Sequence, residues 1–209
     1  LNVKLGVVVR KPLAVWEALC ALIAAQFSKQ PVLRGVDIAV TYACNFSCSH
    51  CNIAVMHKPQ CDLLTIEEYQ RIEEDCTRMG VFQYNFTGGE PLIDKRFFDI
   101  VRVFKPYKRI MIVQTNASRL DSIEAVRALQ QGGIDIVNIS LDSGIAQEHD
   151  ANRGMDNYLE VIRALSLCHK AGMRVVLGTF FSHLNLHSEG MRALIDFATR
   201  ERLVLIANL

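Results

Sequence analysis

The sequence predicts a parallel α/β sheet or barrel from residue 35 onward. Two observations carry this: short apolar runs alternate with segments of helical period, and glycines or capping residues mark the switches between them. With 209 residues, half of them apolar and 22% charged, the chain is long enough for one domain with a sizeable buried core.

The elements follow in order. A first strand over residues 36–40 runs directly into a loop holding three cysteines. The capping box Thr65-x-x-Glu68 opens a helix whose apolar stripe is Ile66, Tyr69, Ile72, Cys76 and Met79, and Gly80 stops it. Strand two, residues 82–86, leads to Thr87-Gly88-Gly89-Glu90-Pro91. A helix over 95–104 precedes strand three at 110–114, which ends at Thr115-Asn116, and a helix over 122–131 stops at Gly132-Gly133. Strand four spans 134–141. Asp156 is expected to cap the next helix, which Gly172 closes before strand five at 174–178. A helix over 189–200 precedes strand six at 203–207. Residues 1–34 form a separate N-terminal extension, in which residues 13–27 read as a helix packing on the barrel or on a partner.

Bulk composition narrows the function classes. A net charge of +1 gives no electrostatic footprint for nucleic acid. The basic stretch Lys105-Pro106-Tyr107-Lys108-Arg109 reads as a solvated loop. No apolar run reaches the length of about 18 residues that a membrane-spanning helix needs. The segment 13–27 comes nearest, but Glu17 interrupts it and no cleavage pattern of a signal peptide follows. Contact of this helix with a membrane surface stays open as a lesser reading. Seven cysteines, three of them within eight residues, read as metal ligation in a cytoplasmic protein rather than as a disulfide framework. Cys20, Cys76 and Cys168 lie in helical patterns and are expected to be buried thiols.

The cysteine segment is Cys44-Asn45-Phe46-Ser47-Cys48-Ser49-His50-Cys51. Three thiolates at these spacings can converge on a soft metal centre. A four-iron cluster has four corners, so three protein ligands leave one iron open to a small molecule. A zinc site of three cysteines plus His50 is chemically allowed, though His50 adjoins Cys51 and simultaneous ligation is awkward. An electron carrier would need a fourth thiolate, for which Cys61 is the nearest candidate at a spacing that fits no familiar pattern.

Cys44-x3-Cys48-x2-Cys51 resembles the cluster motif of the radical S-adenosylmethionine (SAM) superfamily, which also follows the first barrel strand. His50 matches the aromatic or histidine common before the third cysteine, and Gly88-Gly89-Glu90-Pro91 resembles the second family motif. The pattern is similar to the branch that holds molybdenum-cofactor, heme and peptide-maturation enzymes. The resemblance implies a partial (β/α)6 TIM-like barrel over residues 35–209, truncated after strand six. It implies a [4Fe-4S] cluster on Cys44, Cys48 and Cys51, and SAM chelated at the open iron and cleaved reductively to a 5′-deoxyadenosyl radical.

By the same resemblance, Gly88 and Gly89 approach the methionine amino group, with Glu90 beside them. Ser140 touches the cofactor and Arg153 pairs with its carboxylate. Asn138, Ser140 and Asp142 alternate onto one strand face, and Asp142 is a candidate partner for the ribose hydroxyls. Thr115-Asn116 resembles a Thr-Asn pair of that branch that could meet substrate or cofactor. Gly178 and strand six are expected near the adenine. Strand five lacks a convincing glycine-x-isoleucine-x-glycine run. The implied partners are a reductant such as flavodoxin or ferredoxin and an unidentified peptide or small-molecule substrate. A cluster-binding module in electron transfer or assembly is the other reading.

Overall fold

The structure is a computed structural model describing residues 11–27, 33–51, 53, 63–183 and 185–208. Cys61 lies outside these residues. An N-terminal helix α1 (Pro12–Phe27) precedes the alternating core: β1 (Gly35–Thr41), α2 (Ile66–Arg78), β2 (Gln83–Gly88), α3 (Phe97–Val103), β3 (Ile110–Thr115), α4 (Ile123–Gln131) and β4 (Ile136–Ser140). Then come α5 (Ala146–Arg153), α6 (Tyr158–Lys170), β5 (Arg174–Phe180), α7 (Glu189–Arg200) and β6 (Val204–Asn208). A single turn of 3-10 helix, Pro91–Ile93, follows β2.

All six strands are parallel and pair in sequence order, β1-β2-β3-β4-β5-β6, with no pairing of β6 to β1 among the described residues. Helices must therefore return the chain from each strand end to the next strand start. Alternate side chains of the strands, among them Val40, Tyr84, Phe86, Met111, Val113, Val137, Ile139 and Leu177, are buried in the core with the helix stripes. Phe104 packs against Tyr69, Tyr84 and Phe86, joining the region beneath α2 and α3 into one aromatic cluster.

The Thr65 capping box is complete: Glu68 N–H donates to Thr65 Oγ1 (3.2 Å) and Thr65 N–H donates to Glu68 Oε2 (2.7 Å). Substituting Thr65→Ala is expected to cost about 1 kcal/mol in chemical denaturation. The stripe of α2 differs from expectation at two places. Met79 is 49% exposed, while Glu73 is buried among Lys105 Nζ (2.6 Å) and the Thr77 hydroxyl (2.6 Å). An ion pair from another element makes a glutamate tolerable on the inner face, and periodicity alone cannot reveal that.

Three further expectations change. The basic stretch is only partly solvated: Lys105 pairs with Glu73, and Arg109 is buried, paired with Glu17 of α1 and donating to Thr77 Oγ1 (3.2 Å). Cys20 is exposed on α1, while Cys76 and Cys168 are buried, burial pushing the Cys168 thiol up to about 11. Asp156 does not cap α6; Asp150 Oδ1 accepts from Asn157 N and Tyr158 N, both at 2.8 Å. Asp150 belongs to α5, a helix the sequence did not suggest because Ala146–Arg153 carries almost no apolar residue.

Helix α1 is apolar on all sides and leaves Leu13, Trp16, Leu19 and Phe27 exposed. It is tethered where β3 and β4 begin, through Glu17 to Arg109 and through Lys11, whose Nζ donates to Gly133 O (2.8 Å) and Asp135 Oδ2 (2.6 Å). That end lies opposite the cysteine loop. No helix among the described residues is long and apolar enough to cross a membrane.

Candidate cluster and cofactor site

The carboxyl ends of β1 to β5 surround a cavity of about 270 Å³ that Cys44, Cys48 and Cys51 line together with Gly88, Gly89, Ser140, Asp142 and Arg153. Strand ends in a parallel sheet are where side chains from several elements can converge without breaking the sheet. β2 to β5 each supply lining residues, and the loop after β1 supplies the cysteines.

The cysteine loop is held by backbone contacts. Gly89 N–H donates to Thr41 O (2.7 Å) and Glu90 N–H donates to Ala43 O (2.9 Å). This close approach explains the glycine pair. A Cβ on Gly88 would lie 2.2 Å from Thr41 O, and one on Gly89 would lie 2.1 Å from Ala43 O. Gly88 also adopts φ +127°, a region that side chains disfavour. The pair thus presses β2 against the chain that enters the cysteine loop.

Beyond Ala43 the loop is fastened at both sides. Asn116 Nδ2–H donates to Asn45 Oδ1 (3.0 Å), and Asn45 Nδ2–H donates to Ser118 Oγ (2.9 Å). On the other side, Ser49 N–H donates to Asn152 O (3.0 Å) at the end of α5. Within the loop Cys51 N–H donates to Cys48 O (3.2 Å), closing a turn that brings these two cysteines together. Burial pushes the thiols of Cys44 and Cys48 up; at Cys48 the Arg153 guanidinium pulls the other way.

Glu90 stands apart from the expected site residues. It is fully buried and does not line the cavity. Its carboxylate accepts from Thr115 Oγ1 (2.8 Å), Asn116 N (2.8 Å) and Leu92 N (3.1 Å). The glutamate therefore ties the end of β3 to the turn after β2. Burial pushes its carboxyl above the usual range, against the pull of those three bonds.

The opposite wall comes from β4, α5 and β5. Asp142 faces Arg153, with Nη2 to Oδ1 and Nε to Oδ2 both at 2.8 Å. His50 Nε2 lies 3.9 Å from Asp142 Oδ2, and its ring stacks on Phe180 with centroids 4.7 Å apart. Burial holds His50 below its ordinary value, so it is mainly neutral at pH 7 despite the nearby Asp142 carboxylate. Ser140 faces the cavity from the last position of β4, and Gly178 and Thr179 close it from β5. Among the described residues, none of β6 lines the cavity, contrary to the expectation that strand six lies beside the adenine.

All the expected site residues except Glu90 line this cavity. Sequence reasoning missed His149, Asn45 and Phe180. His149 is buried, and its Nδ1 accepts from Asp142 N (3.2 Å). The i, i+4 spacing of His149 and Arg153 was the one signal available.

Among the described residues, no three His, Cys, Asp or Glu side chains are gathered closely enough to hold a single metal ion. Three thiols lining one cavity suit an iron–sulfur group held by three protein ligands. The glycine cradle and the polar wall facing it leave room for a small ligand next to such a group.

A parallel half-barrel with a three-cysteine loop at its carboxyl face defines a class of iron–sulfur proteins. Comparison with known families makes the class specific: the Radical SAM superfamily model matches residues 38–198, and the chain belongs to that superfamily. A [4Fe-4S] cluster and SAM are the cofactors of the family.

The chain is 29% identical over 169 residues to a GTP 3',8-cyclase of Marinobacter nauticus, covering 80% of this chain and 51% of the relative. It is 33% identical over 133 residues to the mycofactocin maturase MftC of Mycobacterium ulcerans, covering 64% and 36%. The chain thus spans 51% and 36% of the length of these two curated relatives. Among solved structures, Streptococcus suis SuiB bound to its precursor peptide SuiA superposes with a TM-score of 0.68 at 17% identity, covering 82% of this chain and 38% of SuiB. That likeness concerns the fold.

Proposed function

We propose that this chain is the radical-generating barrel of a radical SAM enzyme acting on a peptide or small-metabolite substrate. The observation that carries the reading is that three loop thiols, the Gly88-Gly89 turn, Ser140 and Arg153 open onto one cavity. Cys44, Cys48 and Cys51 would ligate the cluster. The backbone at Gly88 and Gly89, free of side chains, would receive the methionine amino group. Ser140, on the facing wall, suits the methionine carboxylate, while the Arg153 guanidinium beside it is held by Asp142, and Gly178 borders the space for the adenine. When bound, the reduced cluster and SAM supply the 5′-deoxyadenosyl radical that abstracts hydrogen from substrate.

The protein's own part is positioning and exclusion of water. His50, stacked on Phe180, forms a lid edge over Asp142. Asn116 belongs to the scaffold as well as the lining, because its amide holds Asn45 of the cysteine loop. A one-electron donor of the flavodoxin or ferredoxin kind would act as partner, and exposed reduced thiols such as Cys20 fit a cytoplasmic setting. A maturase relative supports a peptide, and a GTP 3',8-cyclase relative a nucleotide, among the candidate substrates.

Anaerobic reconstitution tests the proposal. With dithionite and SAM, the wild-type chain is expected to form 5′-deoxyadenosine and methionine, and Cys44→Ala is expected to form neither. A wild-type chain with an intact cluster that leaves SAM uncleaved would instead support the electron-transfer or assembly reading. A colourless protein that takes up zinc and no iron would remove both.

A further inference from the structure

Arg153 is the last residue of α5 and is only 8% exposed. Asp142 holds it through one hydrogen bond, Nη2 to Oδ1 (2.8 Å), and an ion-pair contact between Nε and Oδ2 (2.8 Å) that lacks hydrogen-bond alignment. The remaining nitrogen, Nη1, points to Cys48 Sγ at 3.9 Å. An arginine reserved for a ligand carboxylate would keep its two-nitrogen edge open for bidentate pairing. Here that edge faces a carboxylate of the chain itself, and the donor beyond it meets a cysteine sulfur.

The backbone on either side of Arg153 is fixed against the cysteine loop. Asn152 O, one residue earlier, accepts from Ser49 N, and a Cβ on Gly154, one residue later, would lie 2.7 Å from Ser47 O. The end of α5 is therefore laid directly on the loop that carries Cys48. One turn back, His149 Nδ1 accepts the Asp142 N–H (3.2 Å) while its Nε2 faces Asn157 Oδ1 (3.4 Å). His149 and Arg153 thus grip Asp142 by its backbone and its carboxylate.

We propose that Arg153, fixed by Asp142, is a positioning residue for the cluster, its Nη1–H steadying negative charge on the Cys48 sulfur and raising the cluster's reduction potential even without SAM. This rests on the reading that Cys44, Cys48 and Cys51 hold the cluster. A donor directed at a ligating sulfur stabilises the reduced, more negative state, and burial strengthens the effect. Asp142 has the opposite influence. Its carboxylate partly neutralises the guanidinium, so the pair acts as a dipole with its positive end toward Cys48.

The two partners therefore predict shifts of opposite sign. In redox titrations of the reconstituted chain without SAM, followed by electron paramagnetic resonance, Arg153→Gln is expected to make the cluster potential more negative. Asp142→Asn is expected to make it more positive, with wild-type iron content in both. No shift in either variant overturns the proposal, because a donor on a ligating sulfur must move the potential of the SAM-free cluster. Shifts of the same sign also overturn it, as the mark of general disturbance. If Arg153→Gln fails to take up iron, Asp142→Asn decides: a positive shift supports the proposal and any other result removes it. A wild-type chain that takes up no cluster refutes the cluster reading instead, which iron analysis distinguishes before any potential is measured.

Discussion

Gly89→Ala is expected to abolish most cluster retention while leaving the chain folded. The new Cβ would lie 2.1 Å from Ala43 O, 2.6 Å from Ala43 C and 2.9 Å from Tyr42 O. All three are backbone atoms of the segment entering Cys44, so no side-chain rotation relieves the contact. Two hydrogen bonds cross the same interface, Gly89 N–H to Thr41 O and Glu90 N–H to Ala43 O. Relief must come from moving either β2 or the cysteine loop. The sheet pairs β2 on both sides, so the loop gives way.

Overpacking of this kind costs about 1–3 kcal/mol, enough to displace a loop without unfolding the core. Iron bound per chain after anaerobic reconstitution should fall several-fold. Gly80→Ala is the control. Its φ of +81° makes alanine unfavourable, yet nothing lies within 4 Å of the added Cβ. That variant should lose some stability and keep its iron. Wild-type iron content in Gly89→Ala would show that the glycine pair does not shape the cysteine loop.

How far the sequence reveals this molecule depends on the range of the interaction. Strand periods, the Thr65 capping box, the cysteine spacing and the Gly88-Gly89 turn are local patterns, and each is found where the sequence places it. Contacts between distant segments were not legible. Glu73 is buried because Lys105 reaches it, Arg109 because Glu17 does, and neither partner is visible from a helical stripe. Helix α5 escaped notice because its residues are held by hydrogen bonds to neighbouring loops rather than by an apolar face. The role of Asp142 changed for the same reason. Alternation along β4 placed it on the cavity, but only the fold shows that Arg153 occupies its carboxylate.

Glu90→Ala is expected to destabilise the chain by about 3 kcal/mol or more, because three donors would lose their partner in a dry interior. These are Leu92 N–H, Asn116 N–H and the Thr115 hydroxyl. The size of the loss should depend on pH in a definite direction. Burial raises the Glu90 carboxyl above its ordinary value of 4.5 in the folded chain. A group with a raised folded value contributes its full stability below its unfolded pKa and loses part of it as pH rises through the folded one. The deficit of Glu90→Ala relative to wild type should therefore be largest below the ordinary value of 4.5 and shrink as pH rises above it. Urea denaturation of both chains across that range measures it. A deficit that grows with pH would mean that the three hydrogen bonds outweigh burial, and that Glu90 is held as a carboxylate. The same substitution frees the backbone of Asn116, whose amide holds Asn45 in the cysteine loop. Cluster retention should then fall together with stability, whereas Gly89→Ala displaces the loop directly. The ratio of iron lost to stability lost thus separates a residue that supports the site through the fold from one that shapes it by contact.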